Sequence, residues 1–269
     1  MKTILVPTDF SETAENATYI ACEIAKSNNA SIKLCHIYSI PHSSSTVMID
    51  LSDVIKEAAE KEMEELVNQV KEDFPGINVS SLCVFGRFLN ELEVQSESTD
   101  LIVMGTNGSS GIEEVFLGSN TSNLIQKTET PILAIPSNFQ SKSFRKALIS
   151  LDTKNNNFEN NIDYLIKIIT ILGVEETEIL NVQKEEKSNF GAIERFISKV
   201  NKSFNDIKHK FTFLGNDNIE SAILNHSKPN DLIVVLSKSY GFFERLFHKS
   251  ISKQLAHHSE NPLLVIKHF

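Results

Sequence analysis

Gly105, Gly108, Gly118 and Ser119 follow the apolar run Leu101–Met104 with two, nine and zero residues between successive members. Glycine admits positive φ and carries no Cβ, so backbone N–H groups can close on anionic oxygens. A helix opening at Ser119 would aim its unpaired N–H groups and positive dipole end at the same place. Asn107, Ser109 and Ser110 add side-chain donors. Strand, glycine-rich loop and helix N-terminus, in that order, can hold a phosphate chain. The same glycines would also serve a loop that needs them for turns alone, and both readings stay open. A P-loop is excluded, because it needs Gly-x4-Gly-Lys-Ser/Thr and no Lys or Arg stands between Arg87 and Lys127. The dinucleotide pattern G-x-G-x-x-G has a different spacing and belongs to a first strand.

A second copy of this segment runs from Asp231 to Ile266. Aligned without gaps to Asp100–Ile135, it is identical at twelve of thirty-six positions, including Asp-Leu-Ile-Val, Glu113/Glu244, Phe116/Phe247, Ser119/Ser250 and Pro131/Pro262. The three glycines become Leu236, Ser239 and Lys249. A fainter match sets Lys2–Asp9 against Arg145–Asp152, with Ser150 in place of Pro7. Repeats of this size are duplicated domains rather than solenoid units. They divide the chain at 1–138 and 144–269, with the polar stretch Ser137–Ser143 as linker.

The elements that must position these residues alternate along the chain. Strands are expected at Thr3–Val6, Ile32–Tyr38, Val79–Val84, Leu101–Gly105 and Ile132–Ile135, with helices at Ser11–Ser27, Asp50–Asp73, Phe88–Ser96 and Ser119–Lys127. Ser11, three residues before Ala14, suits a helix N-cap. The second half repeats the order, with strands near Ala147–Leu151, Glu178–Val182, Lys210–Leu214, Leu232–Ser237 and Leu263–Lys267. Strand–helix alternation gives an α/β fold of two tandem, doubly wound, parallel five-stranded sheets of Rossmann-like type. Ligands of such sheets lie beyond the carboxyl ends of the strands, where strand order reverses. Asp9 and Gly105 both fall at such ends, near one cleft.

Composition narrows the class of function. The chain has 269 residues, a net charge of −9 and no basic cluster interleaved with aromatics, which argues against nucleic acid. The start of the sequence, with only Ile4-Leu5-Val6 before Pro7, is too short for a signal-peptide core, and Ile162–Val174 is broken by Asp163 and Lys167. A cytoplasmic protein without membrane contact is expected. Cys22, Cys35 and Cys83 are widely spaced in apolar patterns and are expected as reduced core thiols. His257-His258 point in different directions on a helix and are not expected to bind metal.

The pattern Gly105-x2-Gly108-x9-Gly118-Ser119 resembles the nucleotide signature of the ATP-binding branch of the universal stress protein family. Ile4-Leu5-Val6-Pro7-Thr8-Asp9, His36-Ile37, Asp100–Gly105 and Pro131–Pro136 support the likeness. It covers the first half in full and the second in outline. The resemblance implies an adenine nucleotide alpha-hydrolase-like fold with ATP bound in the first half, AMP or ADP being alternatives and Mg²⁺ a companion of the nucleotide. Asp9 would reach the ribose hydroxyls from a turn shaped by Pro7 and Thr8. Ile37 would lie against adenine. Gly105, Asn107, Gly108, Gly118, Ser119 and Asn120 would hold the phosphates. Asp9 also suits a plain helix-capping role. Glu113-Glu114 stand where many relatives carry a basic residue; Arg87 either supplies that charge or is an ordinary surface arginine. Pro41–Thr46 is either a lid or an unstructured loop.

The second half, without the glycines, is expected to bind no ATP and to act as a built-in partner. The resemblance implies that Pro131–Ile135 and Pro262–Ile266 would meet edge to edge across a pseudo-two-fold axis, imitating the dimer that single-domain relatives make through their last strands, as an intramolecular pseudo-dimer open to further homodimerisation. A stress-response or regulatory role without strong catalysis follows. Slow ATP hydrolysis or a nucleotide-free interaction protein are the alternatives, since no general base, metal carboxylate pair or activated nucleophile is evident near the loop.

Overall fold

The computed structural model describes residues 1–39, 52–106, 119–141, 143–150, 158–183, 190–205, 207–215, 219–229, 231–236 and 261–267. The first half forms β1 (Thr3–Pro7), α1 (Glu12–Asn28), β2 (Ser31–Tyr38), α2 (Ser52–Asp73), β3 (Val79–Phe85), α3 (Phe88–Ser96), β4 (Leu101–Gly105), α4 (Ser119–Lys127) and β5 (Ile132–Ile135). The second half forms β6 (Lys146–Ser150), α5 (Phe158–Ile171), β7 (Glu176–Gln183), α6 (Phe190–Ser203), β8 (Lys208–Gly215), α7 (Ile219–His226), β9 (Leu232–Leu236) and β10 (Leu263–Ile266). The expected strands are all present, with ends shifted by a residue or two.

All ten strands join one sheet in the order β3-β2-β1-β4-β5-β10-β9-β6-β7-β8. Each half is parallel internally, and the halves meet where β10 runs antiparallel to β5, Leu264 opposite Leu133. The edge-to-edge meeting expected from the duplicated last strands is therefore present. Alternation decides which helix covers which face. Ile4 and Val6 of β1 join a cluster with Ile20, Met63, Leu165 and Phe196, so α1, α2, α5 and α6 share one face. Leu5 joins Leu92, Leu124 and Ile223, which places α3, α4 and α7 on the other.

Local signals explain the segment nearest the site. Ser11 adopts extended backbone and its Oγ accepts from Ala14 N–H at 3.3 Å, capping α1 as expected. At the other end Asn29, with φ of 52°, closes the helix in the left-handed conformation. The polar linker proves to be anchored. Phe139 is fully buried and stacks on Phe144 at 5.5 Å, while Asn16 Nδ2 of α1 donates to Phe139 O at 2.9 Å. Further contacts cross between the halves, among them Asn28 Nδ2 donating to Ile171 O at 2.9 Å and Lys267 Nζ donating to Gln126 O at 2.7 Å. No helix among the described residues is long and apolar enough to cross a membrane.

Candidate functional site

In the first half the strand order is 3-2-1-4-5, so the chain reverses direction across the sheet between β1 and β4. These strands are parallel neighbours, with Ile4 opposite Leu101 and Leu5 opposite Ile102. Their carboxyl ends carry Pro7-Thr8-Asp9 and Gly105, so both expected groups sit at the reversal point. A Cβ at Gly105 would stand 2.7 Å from Thr13 Cγ2 and 3.0 Å from Thr13 O. Glycine is required here to let the first turn of α1 close on β4. This packing reason stands beside the phosphate reading and was not visible in the sequence. From the far side of the loop, Thr121 Oγ1 in α4 donates to Gly105 O at 3.4 Å. Thr121 is buried.

The turn after β1 is fixed by backbone and side chains together. Pro7 and Thr8 are buried, and Thr8 N–H donates to Cys35 O at 2.9 Å. Asp9 is exposed; its Oδ1 accepts from Ser11 N–H at 3.2 Å and Ser11 Oγ at 2.6 Å. The carboxylate thus supports the capping serine. A carboxylate has about four lone-pair positions, so this does not exhaust its capacity to accept. Ile37, half-buried on β2, packs with Leu82, Phe88 and Leu89 against the α3/α4/α7 face. Ser119 opens α4 and Asn120 is exposed in its first turn.

Asn107, Gly108 and Gly118 lie outside the described residues. So do Ser109, Ser110, Glu113, Glu114, Pro41–Thr46, and in the second half Asp152, Ser239, Lys249, Ser250, His257 and His258. Arg87 is exposed at the start of α3, after the edge strand β3. Three strand spacings of about 4.8 Å separate β3 from β4, roughly 14 Å, which favours an ordinary surface arginine. Burial pushes the Cys22 and Cys35 thiols up to about 12, and Cys83 is raised by the same cause. Such thiols are poor nucleophiles. Among the described residues no cluster of His, Cys, Asp and Glu could hold a metal ion.

Three residues near the site were not assigned roles from the sequence: Thr13, Thr121 and His36. Nothing in the spacing marks Thr13 or Thr121, because their partner is a backbone atom or an absent side chain. His36 left one clue, a polar ring at a strand's carboxyl end beside the Pro-Thr-Asp turn.

A doubly wound, mostly parallel sheet of this strand order defines a Rossmann-like α/β class of protein. The family model described as "Universal stress protein family" matches residues 1–136. The chain belongs to the universal stress protein family. It is 29% identical over 154 residues to universal stress protein MJ0577 of Methanocaldococcus jannaschii, covering 50% of this chain and 94% of that one. It is 28% identical over 130 residues to universal stress protein Rv2005c of Mycobacterium tuberculosis, spanning 48% of this chain and 44% of that relative. The crystal structure of a universal stress protein from Archaeoglobus fulgidus matches 98% of this chain and 96% of its own, with a TM-score of 0.71 and 20% identity. That match carries the fold across both halves.

Proposed function

We propose that residues 1–138 form an adenine-nucleotide-binding domain, and that residues 144–269 form a degenerate copy that braces it and binds no ATP. One observation carries the reading. The Asp9 turn, the end of β4 at Gly105 and the first turn of α4 at Thr121 converge through Thr13 and Gly105. Gly105 at the end of β4 and Ser119 at the start of α4 supply the strand end and helix N-terminus between which the pattern Gly105-x2-Gly108-x9-Gly118-Ser119 would have physical meaning. In this reading Asp9 accepts the ribose hydroxyls, Ile37 lies against adenine, and Gly105, Asn107, Gly108, Gly118, Ser119 and Asn120 hold the phosphates. ATP is the first candidate, with AMP or ADP behind it. Bound nucleotide would change the surface offered to a partner in a cytoplasmic stress response.

The test begins with mass spectrometry of nucleotides released from gently purified protein, followed by melting with added ATP. At one hundred times Kd a ligand stabilises its site by about 2.7 kcal/mol, a rise of several degrees for a chain of this size. Gly118→Lys should abolish that rise, while Lys249→Gly should leave it unchanged. A wild type that carries no nucleotide and melts identically with and without millimolar ATP refutes the proposal. Product analysis with labelled ATP separates binding from slow hydrolysis.

A further inference from the structure

Asp9 is bracketed by two residues that a single side chain from the next strand holds in place. His36 Nδ1 lies 2.9 Å from Thr8 O. A carbonyl oxygen only accepts, so the imidazole carries its proton on Nδ1 and donates. On the other side of Asp9, the Phe10 ring lies against the His36 ring with centroids 4.5 Å apart and planes at 33°. Phe10 has φ of 60°, a region that bulky residues rarely enter, and its N–H donates to Thr8 Oγ1 at 3.0 Å. A backbone in so unfavourable a region persists only where its surroundings impose it. Phe10 packs against the α1/α2/α5/α6 core face, and His36 joins both ends of the turn, bonded to Thr8 and in ring contact with Phe10.

We propose that His36 is the positioning residue for Asp9, and that through it the site selects ribonucleotides over 2′-deoxyribonucleotides. The inference rests on the nucleotide reading of the first half. Only a carboxylate held in one place can accept both vicinal hydroxyls of a ribose at once. With the turn relaxed, Asp9 would meet one hydroxyl or neither, and the 2′-OH would cease to matter.

The experiment measures Kd for ATP and 2′-deoxy-ATP on the full chain, in wild type and in His36→Leu, His36→Asn, His36→Gln and Asp9→Asn. Wild type is expected to prefer ATP by about tenfold or more, the worth of one hydrogen bond to a charged group. His36→Leu should bring the ratio close to one, chiefly by weakening ATP. Because both ligands are measured on the same protein, partial unfolding lowers both affinities alike and leaves the ratio intact. His36→Asn sets an amide nitrogen where Nδ1 stood and should keep the preference; His36→Gln reaches toward the Nε2 position and should lose it. That pair decides the matter even if the leucine variant fails to fold.

A His36→Leu protein that keeps the wild-type ratio overturns the inference, as do Asn and Gln variants that behave alike. If Asp9→Asn also keeps the ratio, the ribose contact itself is wrong. If Asp9→Asn loses it and His36→Leu does not, His36 alone is misassigned. Wild type binding neither ligand overturns the nucleotide reading and this inference together.

Discussion

Superimposed by register, the two halves of the sheet show what duplication kept and what it released. Ile4 opposite Leu101 corresponds to Ala147 opposite Leu232, and Pro7 opposite Cys35 to Ser150 opposite Leu180. Strand order and both apolar faces are preserved. The carboxyl end of the sheet is not: Gly105 becomes Leu236, Pro7 becomes Ser150, and His36 becomes Asn181. At Gly105 even a Cβ would collide with Thr13, so the two strand ends cannot be built alike. Leu236 instead packs against the α1/α2/α5/α6 face core. One half keeps bare backbone at the reversal point, and the other fills it.

The interior diverged in the opposite sense. Where the first half has the partly exposed Lys33, the second has Glu178, 2% exposed in the sheet. Its Oε1 accepts from His226 Nε2 at 2.6 Å and Thr212 Oγ1 at 2.7 Å, and its Oε2 faces Lys210 at 2.9 Å and Lys146 at 3.0 Å. Lys146 also reaches Asp231 at 3.5 Å. Burial alone would raise the Glu178 carboxyl, but hydrogen bonds from His226, Lys210, Thr212 and Lys146 hold it well below the usual carboxylate range. The second half thus gathers charged groups around one buried carboxylate, tying β6, β7, β8 and α7 together. The lesson is that a sheet relieved of one demand at its rim can be rebuilt at its centre.

The comparison can be broken first at that charge. Glu178→Ala removes the buried carboxylate that Lys146, Lys210, Thr212 and His226 share and should cost about 1–3 kcal/mol, seen as an earlier urea transition. Lys33→Ala, at the matching position, should change stability by no more than about 0.5 kcal/mol. Equal losses would mean the two interiors are not organised differently.

Acid should act on the same carboxylate. A carboxyl held low in the folded state stabilises fully above its unfolded value, about 4.3, and that contribution fades as pH falls below it. Urea midpoints should drop below about pH 4.3, and Glu178→Gln should flatten that part of the profile.

At the rim, Gly105→Ala should cost about 1–3 kcal/mol by overpacking against Thr13 and weaken any ATP-induced rise in melting temperature. Leu236→Gly should create no ATP response, because removing one side chain does not restore the lost loop glycines. Ser11→Ala should cost about 1 kcal/mol through the lost N-cap of α1. The smallest effect belongs to Arg145→Ala: its pair with Glu175 is exposed, so the loss should stay below about 0.5 kcal/mol.

Much of the fold was legible because period and punctuation are local. Leu101–Gly105 and Ile132–Ile135 match their strands residue for residue, and Ser11 caps α1 as its place before Ala14 implied. The second-half strands begin earlier than expected at Glu176 and Lys208. Their opening residues are charged, which reads as loop until Lys208 and Glu176 are seen to pair across the strands. The candidate site was legible in its residue types but not in its constraints. Asp9 and Gly105 were placed together by the rule for strand ends. The hold on Asp9 by His36, and the reason for Gly105 in Thr13, depend on which strands become neighbours.

The sequence by itself determined the duplication, the α/β alternation, the one-sided survival of the glycine pattern and the membership of the first half in its family. These depend on spacing along the chain, where a period or a missing Cβ is a property of the residue itself. Only the tertiary structure decided that the halves fuse into one ten-stranded sheet, that Phe139 pins the linker, and that Glu178 sits among four donors rather than in solvent. Each of these is a contact between segments far apart in the chain, and its energy exists only once packing has removed the water between them.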